Sequence, residues 1–313
     1  MSLQFTEGKI PFVVGEETFE TYYKLVGDIA NCTHGPLIVL HGGPGISHDY
    51  MIPLADLVSL SSTTAVIFYD QLGNGQSTRL RSKNTSFWTI DLFIAELENV
   101  LTFFGVASCF NILGHSWGGT LASEFIVRRQ PAGLRCLILA NALASSKLRN
   151  ESLAKLRPGL PEDSEEYKAA MMVFWAKHGC RIQPFPPEFL HSLSLADEDP
   201  TVLDAMTTGE AGLATRWDIS SRIRSMSHIS TLVINGEHDY MADSVCGPFF
   251  WGIDRVKWVK FANSSHTPHW EERECYVEVV NEFLIQGFVV TLVQFHIVSQ
   301  LHFARARDRQ DIS

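Results

Sequence analysis

Apolar and polar residues alternate in two different ways along this chain, and the difference predicts its elements. Near the start, "KIPFVVG" and "FETYYKLVG" switch between apolar and polar, which predicts an antiparallel hairpin with one solvated face. From residue 36 the pattern changes to short, continuous apolar runs. These are "PLIVLHGG" (36–43), "TAVIFYDQLG" (64–73), "CFNILGHSW" (109–117), "LRCLILAN" (134–141), "TLVINGEHD" (231–239) and "VKWVKFANSSH" (256–266). Runs of Val, Ile and Leu without alternation belong to strands buried on both faces, the mark of a parallel sheet with helices on each side. Between Phe87 and Phe104, "FWTIDLFIAELENVLTFF" has the spacing of an amphipathic helix and supplies one crossover; "TLASEFIVRRQP" (120–131) reads as another helix, closed by a proline.

The strand rhythm stops between residues 142 and 225. That stretch is richer in charge and proline and reads as short helices, with no convincing strand. A helical insertion between two sheet strands is most simply a cap over the carboxyl edge of the sheet, where open parallel sheets bind ligands. The chain thus divides into a core (1–141 and 226–286), a helical cap (142–225) and a tail (287–313). The tail, "GFVVTLVQFHIVSQLHFARARDRQDIS", is too short and interrupted in its apolar part for a membrane span. It reads either as an added element packed on the body or as an apolar contact between copies of the chain.

Composition narrows the class. The 313 residues suffice for one large core with an insertion, and 45% hydrophobic with 19% charged residues is that of a globular protein. A net charge of -10 argues against nucleic acid or an anionic membrane as the main partner. The six cysteines are scattered, with no metal-ligand spacing, and the N-terminus lacks the pattern of a signal peptide. The expectation is a reducing, cytoplasmic setting, with no metal site among the cysteines.

Candidate chemistry gathers at the ends of the predicted strands. "GHSWG" (114–118) places Ser116 between a strand and a helix, the arrangement that lifts a serine hydroxyl out of a sheet as a nucleophile. "HGGPG" (41–45) follows the first buried strand and leaves main-chain N–H groups uncovered; those of Gly43 and Trp117 are the candidate oxyanion donors. Asp239 ends a buried run, where a carboxylate can orient a histidine. His266 lies in the loop before a helix whose start is marked by Thr267, as cap, and Pro268, whereas His269 falls inside that helix and reads as structural. His48, His115 and the other histidines read as packing or surface residues. The chain order Ser116, Asp239, His266 is that of the α/β-hydrolase fold: a mostly parallel sheet, helices on both faces and a helical cap.

The stretches "HGGPGISHDY", "FYDQLGNGQS", "GHSWGGTLASEF", "TLVINGEHD" and "SSHTPHWEE" together resemble the proline iminopeptidase family of α/β-hydrolases, peptidase family S33. The resemblance implies a cofactor-free serine hydrolase that releases an N-terminal residue from short peptides. It also implies that cap glutamates, and in some members a glutamate after the triad aspartate, hold the substrate's amine. Here Tyr240 follows Asp239, and Glu210 in "MTTGEAGLATRWD" is the nearest cap candidate. With those anchors altered, Phe174, Trp175, Trp217 and Tyr240 become the expected lining of the substrate site. The alternatives are an amidase, esterase or lactonase acting on small molecules with the same machinery, and, more remotely, a non-catalytic ligand-binding homologue.

Overall fold

A computed structural model describes residues 3–157, 159 and 164–287. The hairpin is present: β1 (Phe5–Val14) pairs antiparallel with β2 (Glu17–Val26), Phe12 opposite Phe19. Then follow β3 (Leu37–Leu40), a one-turn α1 (Leu57–Leu60), β4 (Val66–Tyr69), α2 (Ile90–Phe103), β5 (Phe110–His115), α3 (Trp117–Arg129) and β6 (Leu134–Ala140). Helices α4 (Ser146–Leu156), α5 (Glu165–His178), α6 (Pro187–Glu198) and α7 (Thr201–Thr208) come next, with a 3-10 turn over Ser220–Met226. The chain returns through β7 (Ser230–Gly236), α8 (Asp243–Gly252), β8 (Val256–Phe261), α9 (Pro268–Glu271) and α10 (Arg273–Gln286).

The eight strands form one sheet in the order β1-β2-β4-β3-β5-β6-β7-β8, parallel from β4 to β8. Successive residues of one strand enter different cores. Ile38 and Leu40 belong to the apolar cluster on one face, Leu37 and Val39 to that on the other. The same split divides Ile67 from Phe68 and Ile112 from Leu113. Each such side chain, fully withdrawn from water, contributes roughly 1.5–3 kcal/mol. That is the physical reason the strands read as continuous apolar runs.

The predicted helix over 87–104 is α2, started by Thr89, whose hydroxyl accepts from Leu92 N at 3.1 Å. Between β6 and β7 the described residues form helices and turns, with one isolated bridge, Ser145 to Asp218, and no strand. Thr267 does not cap α9. Its hydroxyl donates instead to the Gly179 carbonyl at 3.1 Å, tying the loop after α5 to the loop before α9. Beyond Gly287 the predicted tail lies outside the described residues.

Because β3, β5, β7 and β8 run parallel, their carboxyl ends share one edge of the sheet. "HGGPG", Ser116, Asp239 and His266 each follow one of these strands, so the topology brings together residues 41 to 266.

Candidate active site

Ser116 joins β5 to α3 with φ 53° and ψ −117°, left-handed backbone that a residue with a side chain rarely adopts. Such a conformation costs on the order of 1–3 kcal/mol and persists only where its surroundings impose it. The neighbouring glycines show how they do so. A Cβ on Gly118 would stand 2.0 Å from the Leu40 carbonyl oxygen, and one on Gly114 would stand 2.4 Å from that of Gly118. The turn therefore packs directly on the end of β3. Ser116 N donates to Ala140 O at 2.9 Å, which anchors the turn to β6 as well.

Asp239 and His266 meet on the adjacent strand ends. His266 Nδ1 lies 2.9 Å from Asp239 Oδ1. An ionised carboxylate only accepts, so Nδ1 carries the proton and Nε2 presents its lone pair. Asp239 is held by two further donors, Met241 N at 2.9 Å and Asn141 Nδ2 at 2.7 Å. Ser116, Asp239 and His266 are all buried, the serine and histidine each 7% exposed. At Nε2 stands the Tyr240 hydroxyl, 3.0 Å away, its ring lying against the imidazole with centroids 4.4 Å apart. The Ser116 side chain interacts with the same phenol, whose pKa is raised by burial and by the Asp239 charge. Tyr240 is thus a neutral hydroxyl at the meeting point of Ser116 and His266.

The "HGGPG" loop lies directly against the serine. A Cβ on Gly42 would come within 3.2 Å of Ser116 Cβ and 2.7 Å of the Tyr50 hydroxyl. Gly43 has φ 106° and precedes a cis proline. The Trp117 N–H is the first of α3, where the helix supplies no acceptor and its dipole favours negative charge. The "FYDQLGNGQS" stretch locks both parts in place. Gln71 accepts from Trp117 Nε1 at 2.7 Å and donates from its main-chain N–H to His41 Nε2 at 3.1 Å. Asp70 accepts from His48 Nδ1 at 2.7 Å, His48 N at 2.9 Å and Gln76 N at 2.8 Å. Burial alone would raise its pKa, but the His48 charge and these bonds bring it to about 2.

Sequence reasoning missed a second network. Tyr50 Oη accepts from Gly42 N at 2.7 Å and donates to His115 Nδ1 at 2.7 Å; His115 Nε2 then donates to the His266 carbonyl oxygen at 2.8 Å. Burial, with the charges of His266 and His269, lowers the His115 pKa well below its usual value, so the ring is neutral and its tautomer is set by its partners. His115 reads as a packing residue in sequence; its place beside Ser116 was the available signal. His269 is structural as expected, its Nε2 bonded to the Tyr50 carbonyl at 3.1 Å.

The expected substrate residues separate into two groups. Phe174 and Trp175 on α5 pack against Tyr240, with ring centroids 6.0 and 5.9 Å away, so these three are close to His266. Trp217 is buried with its Nε1 committed to Glu124 at 2.9 Å, which fastens the segment before β7 to α3. Glu210 does not face the serine: it is exposed and lines a surface groove with Asp91, Arg128 and Arg216, a groove that includes none of Ser116, Asp239 and His266. A run of residues after a buried helix can turn either way, and here the loop past α7 turns outward. Among the described residues, no three His, Cys, Asp or Glu side chains cluster as metal ligands would, and no helix is long and apolar enough to cross a membrane.

Residues 35–273 match the family model described as alpha/beta hydrolase fold. The chain is 30% identical over 312 residues to a proline iminopeptidase of Lactobacillus delbrueckii subsp. bulgaricus, covering 90% of this chain and 99% of that one. Among solved structures it is similar to VinJ, with a TM-score of 0.81 and 36% identity over 90% of this chain and 99% of that chain. It is also similar to the proline iminopeptidase of Mycobacterium smegmatis, with a TM-score of 0.79 and 32% identity over the same shares, 90% and 99%. In sequence and in fold alike, the chain belongs to the α/β-hydrolase family, in the branch that contains the proline iminopeptidases.

Proposed function

We propose that the protein is a serine hydrolase of proline iminopeptidase type, cleaving an N-terminal residue or a small amide through an acyl-enzyme on Ser116. The observation that carries this reading is the strained Ser116 turn and the buried His266–Asp239 pair, which meet at the Tyr240 hydroxyl. Ser116 Oγ attacks the carbonyl carbon and His266 Nε2 takes its proton. The same nitrogen then protonates the leaving group, and water, activated in the same way, releases the acyl group. Asp239 holds the imidazole in the tautomer that keeps Nδ1 protonated and Nε2 free to accept. The N–H groups of Gly43 and Trp117 receive the tetrahedral oxyanion, a contribution of about 3–4 kcal/mol per donor where it has been measured. Residues 142–225 act as the cap over this edge. The working location is the cytoplasm, a reading supported by cysteines that are all free.

A second reading, a small-molecule amidase, esterase or lactonase, is favoured by one observation. The residue beside the base is the neutral Tyr240, and Glu210 is turned to solvent, so neither supplies a carboxylate for a substrate ammonium group.

Labelling with a fluorophosphonate tests the shared mechanism. Wild-type protein should be modified at Ser116, and Ser116→Ala should be unmodified, folded and slower by about six orders of magnitude. Modification that persists in Ser116→Ala removes the assignment. Turnover of proline and alanine p-nitroanilides beside p-nitrophenyl esters separates the two readings.

A further inference from the structure

The carboxyl end of α5 is bonded to both loops that carry the candidate acid and base. His178, the last residue of the helix, donates from Nδ1 to the His238 carbonyl oxygen at 2.6 Å, one residue before Asp239. The Gly179 carbonyl accepts from Thr267 Oγ1 at 3.1 Å, one residue after His266. Arg181 N donates to Glu271 Oε1 at 2.7 Å. The same carboxylate accepts from Ser265, one residue before His266, through its Oγ at 2.6 Å and its N at 2.8 Å. The stretch 178–181 of the helical insertion therefore meets the core beside Asp239 and on both sides of His266. Further back on α5, Phe174 and Trp175 pack on Tyr240, whose ring lies on the imidazole.

Glu271 is the joint of this arrangement. It is partly buried and receives donors from the insertion and from the base-bearing loop at once. Its neighbour Glu272 holds the same loop further back, accepting from Asn263 N at 3.0 Å and Ser264 Oγ at 2.7 Å. Burial raises the Glu271 pKa, the bonds from Ser265 and Arg181 oppose the rise, and the Asp239 charge adds to it. A surface cleft opens along the seam, lined by Ala176, Arg181 and Ile182 on one side and by Asn263 and Glu271 on the other. Across a cleft, packing cannot fix the spacing of two surfaces, and directional bonds must.

We infer that Glu271 is a positioning residue of the Ser116 site: its carboxylate sets the His266 loop against the end of α5, so that the helical insertion fixes the base instead of merely covering it. Glu271 acts through Ser265 and the loop's main chain. The inference rests on the Ser116, His266, Asp239 reading and holds for a peptide or a small amide alike. The carboxylate is required because it accepts on both oxygens, whereas an amide has one acceptor oxygen and one donor nitrogen. A glutamine turned one way sets its NH2 against Ser265 N–H; turned the other way, it sets NH2 against Arg181 N–H. Either way a main-chain donor faces a donor, so Glu271→Gln opens the joint at constant size.

The test compares Glu271→Gln and Glu271→Asp with wild type, using p-nitrophenyl acetate and proline p-nitroanilide, with rates expressed per site titrated by a fluorophosphonate. In Glu271→Gln, kcat should fall by about 10- to 100-fold with KM little changed, because the base is displaced and the substrate contacts are not. The rate of fluorophosphonate labelling at Ser116 should fall by a similar factor, since that reaction also needs the base. Glu271→Asp, which keeps two acceptor oxygens on a shorter stem, should restore part of both. A Glu271→Gln protein whose titrated sites turn over and label as fast as wild type overturns the inference and leaves Glu271 a purely structural role. A loss confined to KM overturns it as well. Where Glu271→Gln does not fold, Thr267→Val decides: it removes the hydroxyl given to Gly179 and should lower kcat by about 3- to 10-fold with KM unchanged, and an unchanged kcat there counts against the inference. Failure of the underlying reading looks different, because wild type itself then takes no label at Ser116.

Discussion

His115 Nε2 donates a hydrogen bond to the main-chain oxygen of His266, 2.8 Å away. Residue 115 precedes the candidate nucleophile, and residue 266 is the candidate base. One hydrogen bond thus ties the turn of β5 to the loop after β8. Through Tyr50 the same ring is connected to Gly42 in the loop after β3. Three strand ends that must keep a fixed separation are joined by a buried, fully directional chain of donors and acceptors.

Tyr50→Phe tests that chain. Removing one oxygen leaves Gly42 N–H and His115 Nδ1 unpaired in the interior, at a cost of about 1–3 kcal/mol measured by urea unfolding. Because the loops it spaces carry the candidate oxyanion donor and the candidate base, kcat should fall by about 10- to 100-fold with little change in KM. An unchanged kcat in the folded variant would show that the network serves stability alone.

The two histidines near the helix start are separated by opposite outcomes. His266→Ala should be nearly inactive and close to wild type in stability. His269→Ala should keep most of its activity and lose stability, by about 1–3 kcal/mol, because His269 is buried against the Tyr50 carbonyl rather than aimed at Ser116. Initial rates and unfolding curves on the same preparations check both halves. Reversed results would exchange the two roles.

Gly118→Ala should be among the most damaging single-methyl additions in the chain. The new Cβ would meet main-chain oxygen of Leu40 at 2.0 Å, and neither partner is a side chain that can rotate away. The expected loss is about 3 kcal/mol or more. Gly247→Ala is the control. Its Cβ would find only Trp258, at 4.0 Å, within a helix, so it should stabilise by roughly 0.4–1 kcal/mol.

Glu96 gives a pH dependence with a definite sign. It is fully buried, accepting from Thr21 Oγ1 at 2.5 Å and Leu72 N at 2.9 Å, and burial pushes its pKa up to about 8, these bonds only partly offsetting it. A carboxyl whose folded pKa lies above its unfolded value of 4.5 holds its proton longer in the native state. Its contribution is complete below pH 4.5 and declines as pH rises toward about 8. Glu96→Gln should remove that decline, so unfolding free energies of wild type and variant should diverge between pH 5 and 8, with the variant gaining on the alkaline side. Parallel curves would place the proton elsewhere.

Much of the fold was legible in the chain because its cause is local. Continuous apolar runs identify strands buried on two faces, and the sheet covers both faces of β3 to β7 with apolar clusters. Glycines around Ser116 signal a turn because only glycine permits the approach of Leu40 and Gly118 oxygens that the turn requires. The order of Ser116, Asp239 and His266 was readable for a related reason: in a parallel sheet every strand ends on the same edge, so residues just past strand ends converge whatever their separation in sequence.

Side-chain direction in the loops was not legible, because it depends on partners distant in sequence. Thr267 looks like a cap until Gly179, 88 residues earlier, claims its hydroxyl. His115 looks like packing until the His266 carbonyl, 151 residues later, accepts from it. Glu210 belongs to a loop of the insertion, and nothing in its local sequence says whether it turns toward Ser116 or away from it. It lies in a surface groove with Asp91, Arg128 and Arg216, while the side chain that stands at His266 Nε2 is that of Tyr240. The chain by itself determined the sheet, its chemical edge and the three candidate residues at the centre, because hydrophobic burial and backbone sterics act residue by residue. Only the tertiary structure decided which side chains stand beside them, because a hydrogen bond between residues far apart in the chain leaves no periodic trace in the sequence.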